Sequence, residues 1–152
     1  MKYSEANMGR VFVLRLEHGD MIPDIIEKFA GDQQVNGALV FFLGGAEKDS
    51  KVIVGPKDGK EAKPVPMITL LKDVSEALGV GTLFMNEEGR PKLHMHSAFG
   101  RERNTVTGCT RQGVEVWQIG EVVILELTGS AACRKVDAET GFELLEVHEK
   151  KK

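Results

Sequence analysis

The sequence predicts an α+β fold with a mainly antiparallel β-sheet and one principal helix. Three observations predict this class: repeated short runs of β-forming residues, a single stretch with apolar residues at helical spacing, and turn sequences such as 56–59 and 86–89 between the runs. Many strands accompanied by one helix are typical of α+β proteins with mainly antiparallel sheets.

The first strand and the helix follow each other near the N-terminus. Residues 10–17 are rich in β-formers, and Gly19-Asp20 ends the run. Asp20 is the predicted N-cap of the helix, with Pro23 in its first turn and Gly31 at its end. The apolar face of this helix consists of residues at helical spacing, which are Ile22, Ile25, Ile26 and Phe29.

The rest of the chain contains β-forming runs alone. Residues 38–43 form a continuous apolar run, which predicts a strand buried on both faces, and Gly44-Gly45 follows it. Shorter runs occur at 51–54, 65–71, 79–85, 91–99, 114–119, 121–127 and 142–147. No internal repeat or low-complexity linker divides the 152 residues, so we expect one domain over 1–148 and a flexible charged tail at 149–152.

Charge and composition restrict the classes of function. The chain has 20 Lys and Arg against 23 Asp and Glu, a formal charge of −3, whereas dedicated nucleic-acid-binding domains usually carry a basic surplus. No apolar run approaches the ~20 residues that span a bilayer, and the N-terminal residues do not resemble a signal peptide. Two cysteines do not make a disulfide framework, so we expect a cytoplasmic protein with free thiols and no membrane partner.

The stretch 92–96, Lys-Leu-His-Met-His, is the most informative for chemistry. On a strand, alternate side chains share a face, so His94 and His96 point the same way with Cβ atoms about 7 Å apart. Two imidazoles at that distance can converge on one metal ion. The alternative is a pair of histidines on a solvated strand face, and the spacing alone does not decide between the two.

Cys109 is the candidate third ligand. If 91–99 and 105–110 form a hairpin, Cys109 lies beside the histidines, and a His₂Cys set leaves a fourth tetrahedral position open. The alternative is a small buried hydrophobic residue, which is the usual role of a free cysteine. Cys133 has no ligand-type neighbours in the sequence and is interpreted as such a residue.

Nearly the whole chain resembles the PPC (plants and prokaryotes conserved) domain family. The resemblance begins with the strand at 10–17 and is strongest in three segments: Gly-Arg-Pro-Lys-Leu-His-Met-His at 89–96, the Gly…Gly segment at 108–113, and Gly-Glu-Val-Val-Ile at 120–124. Prokaryotic members have similar patterns, written G-x-P-x-x-H-x-H, G-G-H-x-x-x-G and E-V-x-I. The stretch at 89–96 matches the first of these patterns in full.

The resemblance implies a compact α+β fold, a homotrimer, and a metal site. His94 and His96 match the family's paired histidines, and Cys109 stands where the family has its third histidine, four residues before Gly113. A cysteine in place of histidine keeps a metal-binding group and favours softer ions, so the implied cofactor is zinc or a similar divalent transition metal. In plants the domain accompanies AT-hook DNA-binding segments, which makes DNA a candidate partner.

Other residues near these motifs have open interpretations. Arg101, Arg103 and Arg111 either bind a small anionic ligand or form a solvated turn. Gly89-Arg90-Pro91 reproduces the core of an AT-hook, but acidic residues precede it and we interpret it as a turn. Glu121 stands at the family's glutamate position and has three open interpretations. These are a general base near metal-bound water, a partner that orients a histidine, and a member of a salt bridge.

Two functions from different classes remain open. The first is a non-enzymatic binding or regulatory module that holds a metal and is associated with DNA by family resemblance. The second is a metal-assisted enzyme, in which bound water attacks a small anionic substrate. The open coordination position favours the enzyme, whereas the lack of a recognisable general base favours the module. We favour the module.

Overall fold

The computed structural model describes residues 1–147, which form eleven strands and one helix. The elements are β1 (Asn7–Glu17), β2 (Met21–Ile22), α1 (Asp24–Asp32), β3 (Gly37–Ala46), β4 (Lys51–Pro56), β5 (Pro66–Leu70), β6 (Ser75–Met85), β7 (Pro91–Arg101), β8 (Asn104–Cys109), β9 (Val114–Thr128), β10 (Ala132–Val136) and β11 (Glu143–Val147). The predicted fold class, a mainly antiparallel sheet with one helix, is confirmed. The helix has nine residues, so no helix in the described part of the chain is long enough to cross a membrane.

The main sheet has the strand order β1-β9-β3-β6-β7-β8-β4-β5, and β2 pairs with β9 at one end. Every pairing between these strands is antiparallel. A separate hairpin is formed by β10 and β11. The functional strands β7 and β8 therefore lie between β6 and β4 in the interior of the sheet.

One face of the sheet carries the hydrophobic core. Ile26 and Ala30 of α1 are buried against apolar side chains of this inner face, including Phe42, Met95 and Phe99. Because a half-buried strand buries alternate residues, every second side chain of β3, β6, β7 and β9 faces inward, and most of these inner side chains are apolar. The helix thus covers one side of the sheet only.

The structure corrects the predicted start of the helix. Ile22 pairs with β9 as part of β2, and α1 begins at Asp24, after Pro23, which has no side-chain capping bond. Asp20 does not cap the helix, since its side chain accepts a hydrogen bond from the main-chain N–H of Glu17 at 2.8 Å. The carboxylate of Asp20, predicted to cap the helix, instead closes the turn after β1.

Several strand predictions also change. The runs 114–119 and 121–127 are one strand, β9, which has an irregular register opposite Gly44 where Gln118 adopts a φ of 58°. The strand β10 was not predicted, and it pairs with β11, whose predicted run began one residue earlier. The predicted tail at 149–152 lies outside the described residues.

The apolar run 38–43 is a strand, but within one chain it is buried on one face only. Val40 and Phe42 point into the core, whereas Phe41 and Leu43 are 38% and 57% exposed on the outer face. The expectation of two buried faces is therefore wrong for the single chain.

An ion pair joins the first strand, the longest strand and the end of the helix. Glu126 accepts hydrogen bonds from the main-chain N–H, Nε and Nη2 of Arg10 at 2.9, 2.7 and 2.7 Å. Nη2 of Arg10 also donates to the carbonyl of Gln33, just after α1, at 3.0 Å. These hydrogen bonds from Arg10 lower the pKa of Glu126 to about 2.

We predict that Glu126→Gln lowers the thermal stability at neutral pH by several degrees. The folded-state pKa lies below the ordinary value of 4.5, so the carboxylate stabilises the fold fully above pH 4.5 and loses this effect as the pH falls towards 2. The difference in Tm between the wild type and Glu126→Gln should therefore shrink over this window when measured by circular dichroism. Glu139→Gln, at an exposed position, is the control. A Tm difference that is independent of pH would contradict this account.

Candidate metal centre

The two histidines lie on the outer face of β7, as strand alternation predicts. Leu93 and Met95, which alternate with the histidines, point to the inner face and are buried, whereas His94 and His96 are exposed. Across the strand pair, His94 lies opposite Thr82 of β6.

Side-chain contacts at the start of β7 fix this register. The turn before the strand is closed by Asn86, whose Oδ1 accepts hydrogen bonds from the main-chain N–H groups of Glu88 and Arg90 at 3.0 and 2.9 Å. Glu27 of α1 accepts a hydrogen bond from the main-chain N–H of Leu93 at 2.9 Å. The helix thus holds the strand next to the first histidine.

The expected hairpin of β7 and β8 is present and brings the thiol to the histidines. Cys109 is the direct cross-strand partner of His96. Thr110 then donates two hydrogen bonds to the carbonyl of Met95, from its main-chain N–H at 3.0 Å and its Oγ1 at 3.2 Å. These bonds attach the end of β8 to β7 between the two histidines.

Cys109 is buried because β4 passes close to β8. A Cβ atom on Gly108 would lie 2.2 Å from the carbonyl oxygen of Ile53, so only glycine allows this approach. Ile53 pairs directly with Cys109, whose exposed fraction is 3%. The thiol therefore forms the floor of the site, with the imidazoles at its opening.

The three ligand atoms fit a small transition-metal ion. The Nε2 atoms of His94 and His96 are 3.2 Å apart, and the ligand atoms of His94, His96 and Cys109 all lie within 4.8 Å of one another. Two nitrogens on one tetrahedral zinc ion would be about 3.3 Å apart, and a sulfur and a nitrogen about 3.6 Å apart. The imidazole pair already has this separation, and the sulfur of Cys109 lies within 4.8 Å of the ligand nitrogens.

The surroundings of His94 favour its neutral form over the protonated one. Burial, followed by the positive charges of Arg134, His96 and Arg111, lowers the pKa of His94. A metal ion needs the neutral imidazole, so these surroundings favour the state that coordinates. The contact between the two Nε2 atoms is a hydrogen bond when one of these nitrogens carries a proton and the other does not.

The ligands open into a cleft of about 220 Å³ with largely apolar walls. One wall comes from β4, β5 and the segment between them, and includes Ile53, Pro56, Pro64 and Pro66. Phe142, in the connection just before β11, also lines the cleft, and its ring centroid lies 4.8 Å from the guanidinium carbon of Arg111. Sequence reasoning missed Phe142 and Arg134, because no spacing connects residues 134–142 with 94–109.

The three arginines of the sequence analysis separate in the structure. Arg101 lies at the far end of β7, where it pairs with Asp73 at 2.9 Å and donates to the carbonyl of Val74. Arg103 lies in the turn between β7 and β8. Arg111 alone reaches the cleft of the histidines.

The remaining candidates do not join the site within one chain. Glu121 lies on β9, three strands from β7, or about 14 Å away at the usual strand spacing. Arg90 belongs to the turn, as interpreted, and pairs with Glu88. Cys133 lies on β10 opposite Glu146.

The fold and the ligand set together define a compact α+β domain with a His₂Cys cluster on its sheet. The model of the Plants and Prokaryotes Conserved (PCC) domain, the family abbreviated PPC above, matches residues 3–128. The chain belongs to this family. The match ends at β9, so the β10–β11 hairpin lies beyond it. A search of curated protein sequences found no significant match.

Solved structures share this fold over nearly the whole chain. A metal-containing protein of Archaeoglobus fulgidus is 26% identical, with a TM-score of 0.80 over 95% of this chain and 98% of that one. A plant- and prokaryote-conserved protein of Pyrococcus horikoshii is 22% identical, with a TM-score of 0.82 over 99% and 100%. A protein of Ralstonia eutropha named "Putative DNA-binding protein" is 21% identical, with a TM-score of 0.69 over 90% of each chain.

Proposed function

We propose that this chain is a single-domain, cytoplasmic PPC module that binds one zinc or similar divalent ion through His94, His96 and Cys109. The observation that carries the proposal is the convergence of two imidazole nitrogens and one thiol sulfur within 4.8 Å. Support comes from the description of the similar Archaeoglobus protein as metal-containing. Three protein ligands leave a coordination position for a ligand from solution, so the module would recognise a small molecule or a partner through its metal.

A metal-assisted enzyme is the second candidate, favoured by the same open position and by the cleft beside it. A bound zinc ion would supply a Lewis acid to a substrate in the cleft. The residues of this chain would bind and orient that substrate between the walls formed by Ile53 and Phe142. Glu121 is too distant to serve as a base within one chain, which is why we favour the binding module.

We predict that alanine substitution of His94, His96 or Cys109 reduces the metal content of the purified protein. Each variant removes one of three ligands, and elemental analysis measures the loss. Cys109→His should retain metal, because it restores the ligand type of the family. Since imidazole must be neutral and the thiol deprotonated to coordinate, occupancy should fall below about pH 6.

Cys133→Ala is the matched control for the cysteine, and its metal content should equal that of the wild type. Wild-type metal content in Cys109→Ala would mean that Cys109 is only a packed thiol. The proposed site would then be reduced to the two histidines.

We also propose that the protein is a homotrimer, as the resemblance to the family implies. The support from the structure is an apolar row on the outer face of the sheet that runs in register across four strands and ends beside His96. Its members are Val13, Val123, Phe41 and Val80. Soluble monomers rarely expose a contiguous apolar surface of this kind, and a copy of the same chain would cover it.

Light scattering at low micromolar concentration should therefore give a mass near three chains. Leu78→Glu, on the same outer face, should lower the mass, because it would bury a charge against apolar side chains. Val136→Glu, at a similarly exposed position on the separate β10–β11 hairpin, should leave it unchanged. A monomeric wild type would contradict the proposed assembly.

Specific DNA binding by the isolated chain should be weak or undetectable. The chain carries a charge of −3, and Arg90 and Arg101 are each paired with a carboxylate. A gel-shift series at physiological salt tests this expectation, with a low-salt series as the control for non-specific binding. Sub-micromolar, sequence-dependent binding would overturn it, and Arg90, Arg101 and Arg103 would then be the first residues to substitute.

A further inference from the structure

A second cleft, of about 320 Å³, adjoins the proposed metal site and carries positive charge. It shares His94, Arg111 and Phe142 with the cleft of the metal ligands, so the two are continuous at these residues. Arg134 of the β10–β11 hairpin also lines it. Its size is at the lower end of the range for small-molecule sites, about 300–1,000 Å³.

Arg134 is a buried cation that forms no ion pair within the described residues. Its exposed fraction is 3%. Nη2 donates to the carbonyl and the Oγ1 of Thr82 at 3.1 and 2.7 Å, whereas Nε has no hydrogen-bond partner in the described part of the chain. Buried charges in proteins are normally paired, because the loss of hydration of an unpaired charge is unfavourable.

Arg111 is held in place with its donors available. Its guanidinium stacks on the ring of Phe142, and within residues 1–147 it forms no ion pair. A stacked guanidinium loses little further freedom when it binds a planar or tetrahedral oxyanion. Lys92 also lines the cleft, but Glu27 already pairs with it at 3.0 Å.

The carboxylate of Glu143 also lines this cleft and lowers its net positive charge. Glu143 accepts a hydrogen bond from Nδ2 of Asn86 at 3.2 Å and contributes a negative potential at Arg134. Two guanidinium groups against one carboxylate leave an excess of one positive charge. The cleft therefore suits a ligand with an anionic group rather than a neutral or cationic one.

We propose that Arg111 and Arg134 bind the oxyanion group, a carboxylate or a phosphate, of a small molecule whose other end reaches the metal held by His94, His96 and Cys109. The inference rests on the proposed metal function only for the contact between the metal and the other end of the ligand. Arg134 and Phe142 belong to the β10–β11 hairpin, which lies beyond the segment matched by the family model. The hairpin thus supplies two of the residues that would bind the anionic ligand.

Calorimetric titration of the zinc-loaded protein with inorganic phosphate, and separately with malonate, tests the inference at constant ionic strength. At least one probe should bind the wild type, and which one binds distinguishes a phosphate site from a carboxylate site. Arg111→Gln should weaken that binding about tenfold or more, because it removes a charge-assisted hydrogen bond. Arg134→Met, checked for folding by circular dichroism, should have a similar effect.

Arg101→Gln removes an arginine remote from the cleft and should leave the affinity unchanged. Equal affinity in Arg111→Gln and Arg101→Gln, or no binding of either probe by the wild type, would overturn the inference. Metal content measured on the same samples separates the two proposals. A protein that takes up its metal but binds neither anion would contradict this inference alone. A protein that takes up no metal but binds an anion through Arg111 would contradict the proposed metal function alone.

Discussion

Antiparallel pairing of β7 with β6 and β8 determines which side chains reach the proposed metal site. Because the side-chain period of a strand is two, a shift by one residue would turn His94 and His96 towards the core. Two contacts of the main chain oppose such a shift: Glu27 binds the N–H of Leu93, and Thr110 binds the carbonyl of Met95. These two hydrogen bonds and the pairing of the strands together fix the positions of the proposed ligands.

Local sequence predicts the parts of the site that depend on local rules. Strand alternation is sufficient to bring His94 and His96 to one face, and a short polar turn is sufficient to bring Cys109 beside them. Arg134 and Phe142 could not be predicted in this way. They approach His94 only because a separate hairpin folds onto the sheet, and no spacing in the sequence encodes that tertiary contact.

The errors in the fold prediction have the same origin. The carboxylate of Asp20 is as suitable for the turn after β1 as for a helix N-cap, and the pairing of Ile22 with β9 decides between the two. The apolar run of β3 correctly indicates a strand whose two faces both lack polar groups. In one chain only the face of Phe42 is covered, and the face of Phe41 remains exposed. The apolar run thus indicates an outer surface of β3 that the fold of a single chain leaves exposed.

Cys109, the proposed third ligand, and the buried Arg134 are electrostatically complementary. A divalent ion beside Arg111 and Arg134 would add positive charge to a site that already has an excess of it. As a metal ligand Cys109 would be a thiolate, and its negative charge would stabilise the guanidinium of Arg134. A neutral histidine at position 109 would coordinate without offsetting any of this charge. A cysteine would therefore make a buried guanidinium more tolerable next to the proposed metal ion than a histidine would, and an oxyanion bound by Arg111 and Arg134 would offset the charge that remains.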